Sequence, residues 1–322
     1  MAEPSELAGR LEAWLATRGA PAAVQITGRA TVGLSQETWF GRMTAGDTST
    51  EIVLRLPTRA SGGQAILGQR LALQAVAGTG VPAPELLWFD DESENPFGRP
   101  VLVMERVPGT VPVGWHDVAE PRRAALAQQA VDILVALHAV DPAPLAALIG
   151  PRRHPPTALE FYEHFLARFE PLPAVLRAAL WWLRRHRPER AAPDTLVHGD
   201  FRMGNLAVLE QRITGVLDWE MAAPGDPLAD LAWCFIPVWE IPGVDEDALV
   251  ARYAHATGRP IDPEHLRWHR VLGFVRLAYY ALSGTAAFDS GRSDDLRLAA
   301  LRLQLPIHLD RLAATMAGDE VT

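Results

Sequence analysis

Asp200, Asn205 and Asp218 are oxygen-bearing side chains within nineteen positions, in a stretch where the chain could do chemistry. The octet HGDFRMGN, residues 198–205, crowds a histidine, two glycines, an acid and an amide together. Apolar runs on either side, in PDTLV and LAVL, make it a loop between two short strands. Three readings fit. The glycines and Asp200 and Asn205 could simply make a tight turn. His198 and Asp200 could begin a metal-hydrolase ligand set. Or the loop could serve phosphoryl transfer, in which a base acid precedes a metal-binding asparagine by five positions. Asp218 ends the apolar run of ITGVLDWE, 13 positions after Asn205, where a strand disfavours aspartate. Hard oxygen ligands in ones and twos suit Mg²⁺ shared with phosphates. A metal hydrolase would want more histidines close by, and the nearest, His186, lies beyond a proline-bearing segment.

Composition removes several alternatives. The 322 residues contain no lysine, so all 30 basic Lys+Arg positions are arginine. A P-loop, a Schiff base and a serine–lysine pair each need the missing amine. The single Cys234, inside LAWCFI, cannot form an internal disulfide and reads as a buried thiol in a reducing compartment. Net charge is −9 with no dense basic tract, which disfavours nucleic acid as a partner and suits a neutral or cationic small substrate. The opening MAEPSELAGR has an early acid and no apolar core, so no secretory signal is expected. No run is expected to reach the ~20 apolar residues of a membrane span. A cytoplasmic protein without a membrane partner is the expectation.

The elements that must position these groups follow from periodicity. SELAGRLEAWLATRG predicts a helix over 5–19 with Ser5 as its cap. AVQITG, ETWFGRM and TEIVLRL read as strands, with AGDTS turning between the last two. A helix follows in GGQAILGQRLALQAVAGTG, stacking Ile66, Leu67, Leu71 and Leu73, and then two strands in PELLWFD and PVLVMERV. This predicts a five-stranded antiparallel sheet with one inserted helix. PGTVP is a natural boundary, beyond which helices are expected at 119–140, 157–170, 173–187, 245–257, 262–284 and 292–316. Trp115, Trp233, Trp239, Tyr253 and Trp268 are expected to be mostly core, with one or two lining a pocket. His138 reads as a satisfied core histidine. Asp226 and Asp230 in GDPLADLAW could cap a following helix or tie loops together.

HGDFRMGN followed by VLDWE and GDPLADLAW resembles the aminoglycoside phosphotransferase and choline kinase family, over about residues 24–285 and most strongly over 196–233. The resemblance implies an α+β, protein-kinase-like bilobal fold. Residues 1–107 would form a small antiparallel β lobe with one helix that binds nucleotide. Residues 108–322 would form a larger, mainly helical lobe with the catalytic loop. It implies Asp200 as catalytic base, Asn205 and Asp218 as Mg²⁺ ligands, and Arg202 as a cation beside the transferred phosphate. His198 would brace the loop, and Gly199 and Gly204 would permit its turns. VGLSQETWF resembles the loop over the nucleotide phosphates, with Gly33 and Ser35 admitting close approach. IVLRLP resembles the strand carrying the phosphate-binding cation, here Arg55, as in the acyl-CoA-dehydrogenase-associated branch. VLVMERVPG resembles the hinge, where backbone groups of Glu105 and Val107 would read the nucleotide base. One departure stands out: residues 52–84 contain no acid, so Gln69 occupies the place of the glutamate that faces the cation. An Arg55–Gln69 pair would be hydrogen-bonded but not ionic. The implied activity is ATP- (or GTP-) and Mg²⁺-dependent phosphorylation of a small-molecule hydroxyl, on an aminoglycoside, macrolide, hydroxyacyl thioester, amino alcohol or sugar. A non-catalytic nucleotide-binding module of the same fold is the alternative, and a metal-dependent hydrolase the third reading.

Overall fold

The structure, a computed structural model, describes residues 3–30, 36–58, 64–91, 95–149, 159–189, 194–236, 241 and 243–318. It opens with α1 (Pro4–Thr17), followed by β1 (Ala23–Arg29), β2 (Gln36–Ala45) and β3 (Thr48–Pro57). Then come α2 (Gln64–Val76), β4 (Leu86–Asp90) and β5 (Val101–Glu105). The five strands form one antiparallel sheet in the order β1-β2-β3-β5-β4, as their alternating apolar pattern predicts. The first helix begins one residue before Ser5. Glu3 is its N-cap and Pro4 lies in the first turn, where a missing amide costs nothing and the fixed φ suits a helix.

Strand alternation decides what β3 offers to each side. Ile52, Leu54 and Leu56 are fully buried in a core with Leu7, Leu11, Trp14 and Leu15 of α1. Period two therefore places Arg55 on the opposite face, the one on which α2 and its buried Gln69 pack. Of the four residues expected to stack inward from α2, Ile66 and Leu73 are buried, whereas Leu67 and Leu71 are half-buried.

The rest is mostly helical. It contains α3 (Glu120–Leu137), α4 (Ala143–Ile149), α5 (Leu159–Leu166) and α6 (Ala174–Arg185). The strands β6 (Thr195–Val197), β7 (Leu206–Leu209), β8 (Arg212–Val216) and β9 (Ala223–Gly225) follow, pairing as β6–β9 and β7–β8. Beyond them lie α7 (Pro227–Cys234), α8 (Glu246–Thr257), α9 (Pro263–Asp289), α10 (Leu296–Ala300) and α11 (Leu305–Ala317). Of the two helices outside the predicted ranges, α4 is unexpected and α7 is the helix that Asp226 or Asp230 is expected to cap. Asp226 followed by Pro227 signals the second: the carboxylate caps the Leu228 amide at 2.9 Å and proline fills the first turn. The single helix expected over 292–316 is broken into α10, a short 3₁₀ turn and α11. Pro306 cannot donate into a continuous helix and instead starts a new one.

One expectation needs correction. Helix α9, with 27 residues, is long and apolar enough to cross a membrane. It is instead the central helix of the C-terminal core, packed against α5, α6, α7, α10 and α11. Trp115, Trp233, Tyr253 and Trp268 are all buried, and Trp239 lies outside the described residues.

Candidate active site

The loop between β6 and β7 is held from beneath. Asp230, fully buried on α7, accepts the amides of His198 (2.6 Å) and Gly199 (2.8 Å). Burial raises the pKa of this carboxyl, but His138 and the His198 amide outweigh it and hold it below its ordinary value. His138 is itself buried and bonds the Tyr253 hydroxyl at 2.7 Å, so it is the satisfied core histidine expected. Of the two roles open to the acids of GDPLADLAW, Asp226 takes the cap and Asp230 the tie. Gly199 has φ +79°, and a Cβ there would meet the Met221 carbonyl oxygen at 2.6 Å, so no other residue fits.

His198 is also fully buried. Its Nδ1 accepts the Asp200 amide (3.2 Å), so Nε2 carries the proton and donates to the Leu217 carbonyl (3.0 Å). Burial pushes its pKa down, which agrees with this neutral tautomer. The ring thus links the loop to the segment before Asp218.

Asp200 is met on both oxygens. Oδ1 accepts from Trp233 Nε1 (2.8 Å) and Arg276 (3.0 Å), while Oδ2 accepts from the Asn205 amide nitrogen (2.7 Å) and Arg202 Nε (3.3 Å). The Asn205 Nδ2 also donates to the Asp200 carbonyl (2.8 Å), and the Asn205 carbonyl accepts the Leu217 amide (2.8 Å). Asp218 follows with φ +66° and ψ +57°, a left-handed conformation that aspartate tolerates better than bulkier residues. Its Oδ1 accepts from Arg55 at 2.9 Å.

Arg55, Asp218, Asn205, Asp200 and Arg202 are therefore connected in space. The Arg55–Gln69 hydrogen bond expected from the sequence is not made. Arg55 reaches across to Asp218, and its Nε and the Gln69 Oε1 are both buried without a partner among the described residues. Glu105 and Val107 lie farther out, where β5 leaves the sheet. The Glu105 amide donates to the Glu85 carbonyl (2.9 Å). Val107 packs over Gly215 of β8, where a Cβ would approach Val107 Cγ1 to 2.7 Å. Thr110 then bonds the Val208 backbone in both directions, pinning the connection to β7. Gly33 and Ser35 lie outside the described residues.

The sequence reading missed Arg276. This buried residue of α9 donates to the Gly199 carbonyl (2.5 Å), to Asp200 and to the Tyr280 hydroxyl (3.0 Å), with its guanidinium 3.9 Å from the Trp233 ring centre. A lone arginine within the apolar VLGFVRLAYY was the available signal, since such a charge needs a buried partner.

A five-stranded antiparallel sheet joined to a helical body, with an Asp–Asn loop facing an Asp and an Arg, defines the protein-kinase-like fold of small-molecule phosphotransferases. The chain belongs to the phosphotransferase enzyme family, whose model matches residues 27–270. It is 32% identical over 172 residues to acyl-CoA dehydrogenase family member 10 of Mus musculus, covering 50% of this chain and 16% of that protein. The chain spans less than a third of the length of the acyl-CoA dehydrogenase relatives it matches. A Ralstonia eutropha crystal structure, a candidate aminoglycoside phosphotransferase, superposes with TM-score 0.77 at 20% identity, covering 96% of this chain and 98% of its own. A thermostable mutant of aminoglycoside phosphotransferase APH(4)-Ia, in ternary complex with AMP-PNP and hygromycin B, gives 0.66 at 20% identity, covering 97% and 99%.

Proposed function

We propose that the protein transfers the terminal phosphoryl group of ATP, or GTP, to a hydroxyl of a small molecule with Mg²⁺. The observation that carries this reading is the Asp200 carboxylate, oriented by four donors beside Asn205 and one linked segment away from Asp218. In this reading Asp200 accepts or orients the proton of the acceptor hydroxyl, a role that requires placement before it requires basicity. Arg202, whose Nε already contacts Asp200, sets a positive charge beside the group in transfer. Arg55 serves the nucleotide phosphates from the other side, while Gly33 and Ser35 belong to the loop above them. The Glu105 carbonyl and the Val107 amide read the base.

The donor set fits Mg²⁺. The Asn205 amide nitrogen is committed to Asp200, which leaves its Oδ1 for a cation, and Asp218 adds a carboxylate. Both are hard oxygen ligands. Bound by them, Mg²⁺ would neutralise charge on the donor phosphates. Residues 1–107 would then hold the nucleotide, and residues 108–322 would supply the loop and the acceptor site. The presence of Asp200, Asn205 and Asp218 together counts against a binding-only module.

The test is incubation with ATP and Mg²⁺ against a panel of aminoglycosides, macrolides, hydroxyacyl thioesters, amino alcohols and sugars. Product is read by mass as the gain of one phosphoryl group. Asp200→Asn should retain nucleotide binding and lose roughly 10²–10⁴-fold in turnover. Equal turnover in that variant would remove Asp200 from the mechanism.

A further inference from the structure

PEHLRWHRV, at the start of α9, places His265 and His269 four residues apart, on one face of the helix and about one turn from each other. Asp226, the N-cap of α7, faces this pair. Its Oδ1 is committed to the Leu228 amide at 2.9 Å. Its Oδ2 lies 2.8 Å from His265 Nε2 and 3.5 Å from His269 Nε2, and the three donor atoms are all within 4.8 Å of one another.

At these distances both rings are ion-pair partners of Asp226, but neither Nε2 is aligned on it as a hydrogen-bond donor. Both Nε2 atoms are buried and neither has a hydrogen-bond partner among the described residues, although an acceptor oxygen stands next to them. His269 is only 9% exposed. The two rings stack nearly parallel, 25° apart with centroids at 5.2 Å, and both present Nε2 to the same Asp226 oxygen. As lone pairs, the two nitrogens would confront a carboxylate oxygen, acceptor against acceptor. As N–H groups, they would be buried donors that miss the acceptor beside them. Either state is costly for buried polar atoms.

A shared cation resolves both problems. Neutral imidazole nitrogens and a carboxylate oxygen are ligands of zinc-class ions. Metal–ligand distances of about 2.0–2.1 Å in a tetrahedron set the donor atoms about 3.3 Å apart, within the range of the two separations here. Two histidines one helical turn apart are a recurrent way to present such ligands. The set has two nitrogens and one oxygen, unlike the all-oxygen pair Asn205 and Asp218, and so favours a transition metal over Mg²⁺.

We infer that Asp226, His265 and His269 form a binding site for one divalent transition-metal ion of the zinc class, separate from the phosphoryl-transfer site. The ion clamps the start of α7 to α9. Those helices carry Asp230, Trp233 and Arg276, the groups that hold the catalytic loop, so the clamp braces the loop without touching substrate.

Co²⁺, a coloured stand-in for Zn²⁺, is titrated into the chelator-treated full chain with excess Mg²⁺ present to occupy the oxygen site. The expected result is one equivalent bound with visible d–d absorption, displaced by Zn²⁺. Zn²⁺ should also raise the melting temperature. Asp226→Asn keeps the helix cap, because asparagine caps as well as aspartate, but loses the charged ligand. That variant and His265→Gln should melt like the parent without metal and bind Co²⁺ at least tenfold more weakly. The inference is overturned if either variant binds Co²⁺ with the parent's stoichiometry and affinity. It is equally overturned if the parent binds none below about 100 µM. Neither outcome depends on phosphotransferase turnover.

Discussion

The two sides of the candidate site are built on different terms. On the acceptor side, Asp200 is fixed by Trp233, Arg276, Asn205 and Arg202, and the loop beneath it by Asp230. The protein supplies its own partners, and the loop geometry is set before any ligand arrives. On the side proposed for nucleotide, Arg55 bonds Asp218 among the described residues, while its Nε and the Gln69 Oε1 are buried there without partners. Each such atom costs roughly 1–3 kcal/mol, a penalty usually tolerated where a ligand completes the network. The contrast is imperfect, because the Tyr162 hydroxyl, in a small cavity beside Trp233 and Arg276, also has no partner among the described residues. Under the proposed function, positioning for transfer is intrinsic to the chain, whereas order around Arg55 would be completed by a bound nucleotide.

Asp218 joins the two sides, so its loss should break the comparison most completely. Asp218→Ala should lower turnover by about 10²-fold or more, because under the proposed function a ligand of the charge-neutralising Mg²⁺ is removed. It should also abolish the extra melting-temperature rise that nucleotide gives only with Mg²⁺. A retained rise would reduce Asp218 to a strand-end acid that anchors Arg55.

Arg276→Met tests whether the acceptor side is truly self-supporting. Breaking a buried ion pair from one end costs about 3 kcal/mol, measurable by equilibrium denaturation. The Gly199 carbonyl and one Asp200 oxygen would lose their donor, so kcat should fall while nucleotide affinity is kept. If the variant loses affinity and keeps kcat, Arg276 serves the other side of the site.

The loop's bracing carries a pH signature. Burial lowers the His198 pKa below the ordinary value of about 6.5. Its contribution to stability is therefore complete above that value and lost as pH falls through the folded-state pKa, since the unfolded chain takes up the proton first. Buried His308 has the same sign. Melting temperature should fall between pH 7.5 and 5, and less steeply in His198→Gln. An unchanged slope would mean that His198 is not held neutral by the fold.

The smallest effect is expected at Gln69. Because Arg55 pairs with Asp218 rather than with Gln69, Gln69→Glu adds an anion near an already committed cation. Nucleotide affinity should change by less than about tenfold, or ~1.4 kcal/mol, and Arg55→Ala should weaken it more. Titration of ATP and Mg²⁺ into both variants decides between them, and the reverse order would assign Gln69 a direct part in holding nucleotide.

The sequence by itself determined what depends on near neighbours. Period-two apolar runs between turn residues specify five strands, and alternation along β3 turns Arg55 away from the α1 core. The five-residue spacing of Asp200 and Asn205 puts both on one loop, where the amide reaches the acid at 2.7 Å. Caps and prolines mark helix starts locally, as Asp226 before Pro227 does for α7, and Pro306 could have been read as such for α11. Packing alone decided the contacts between distant segments. Arg276 lies 76 residues from Asp200, Asp218 lies 163 from Arg55, and Asp226 and His265 come from different helices. Periodicity gives the face a residue occupies but not what stands opposite it. That is set by how helices and sheet bury their apolar faces together, and the polar groups brought along must then find partners where they land.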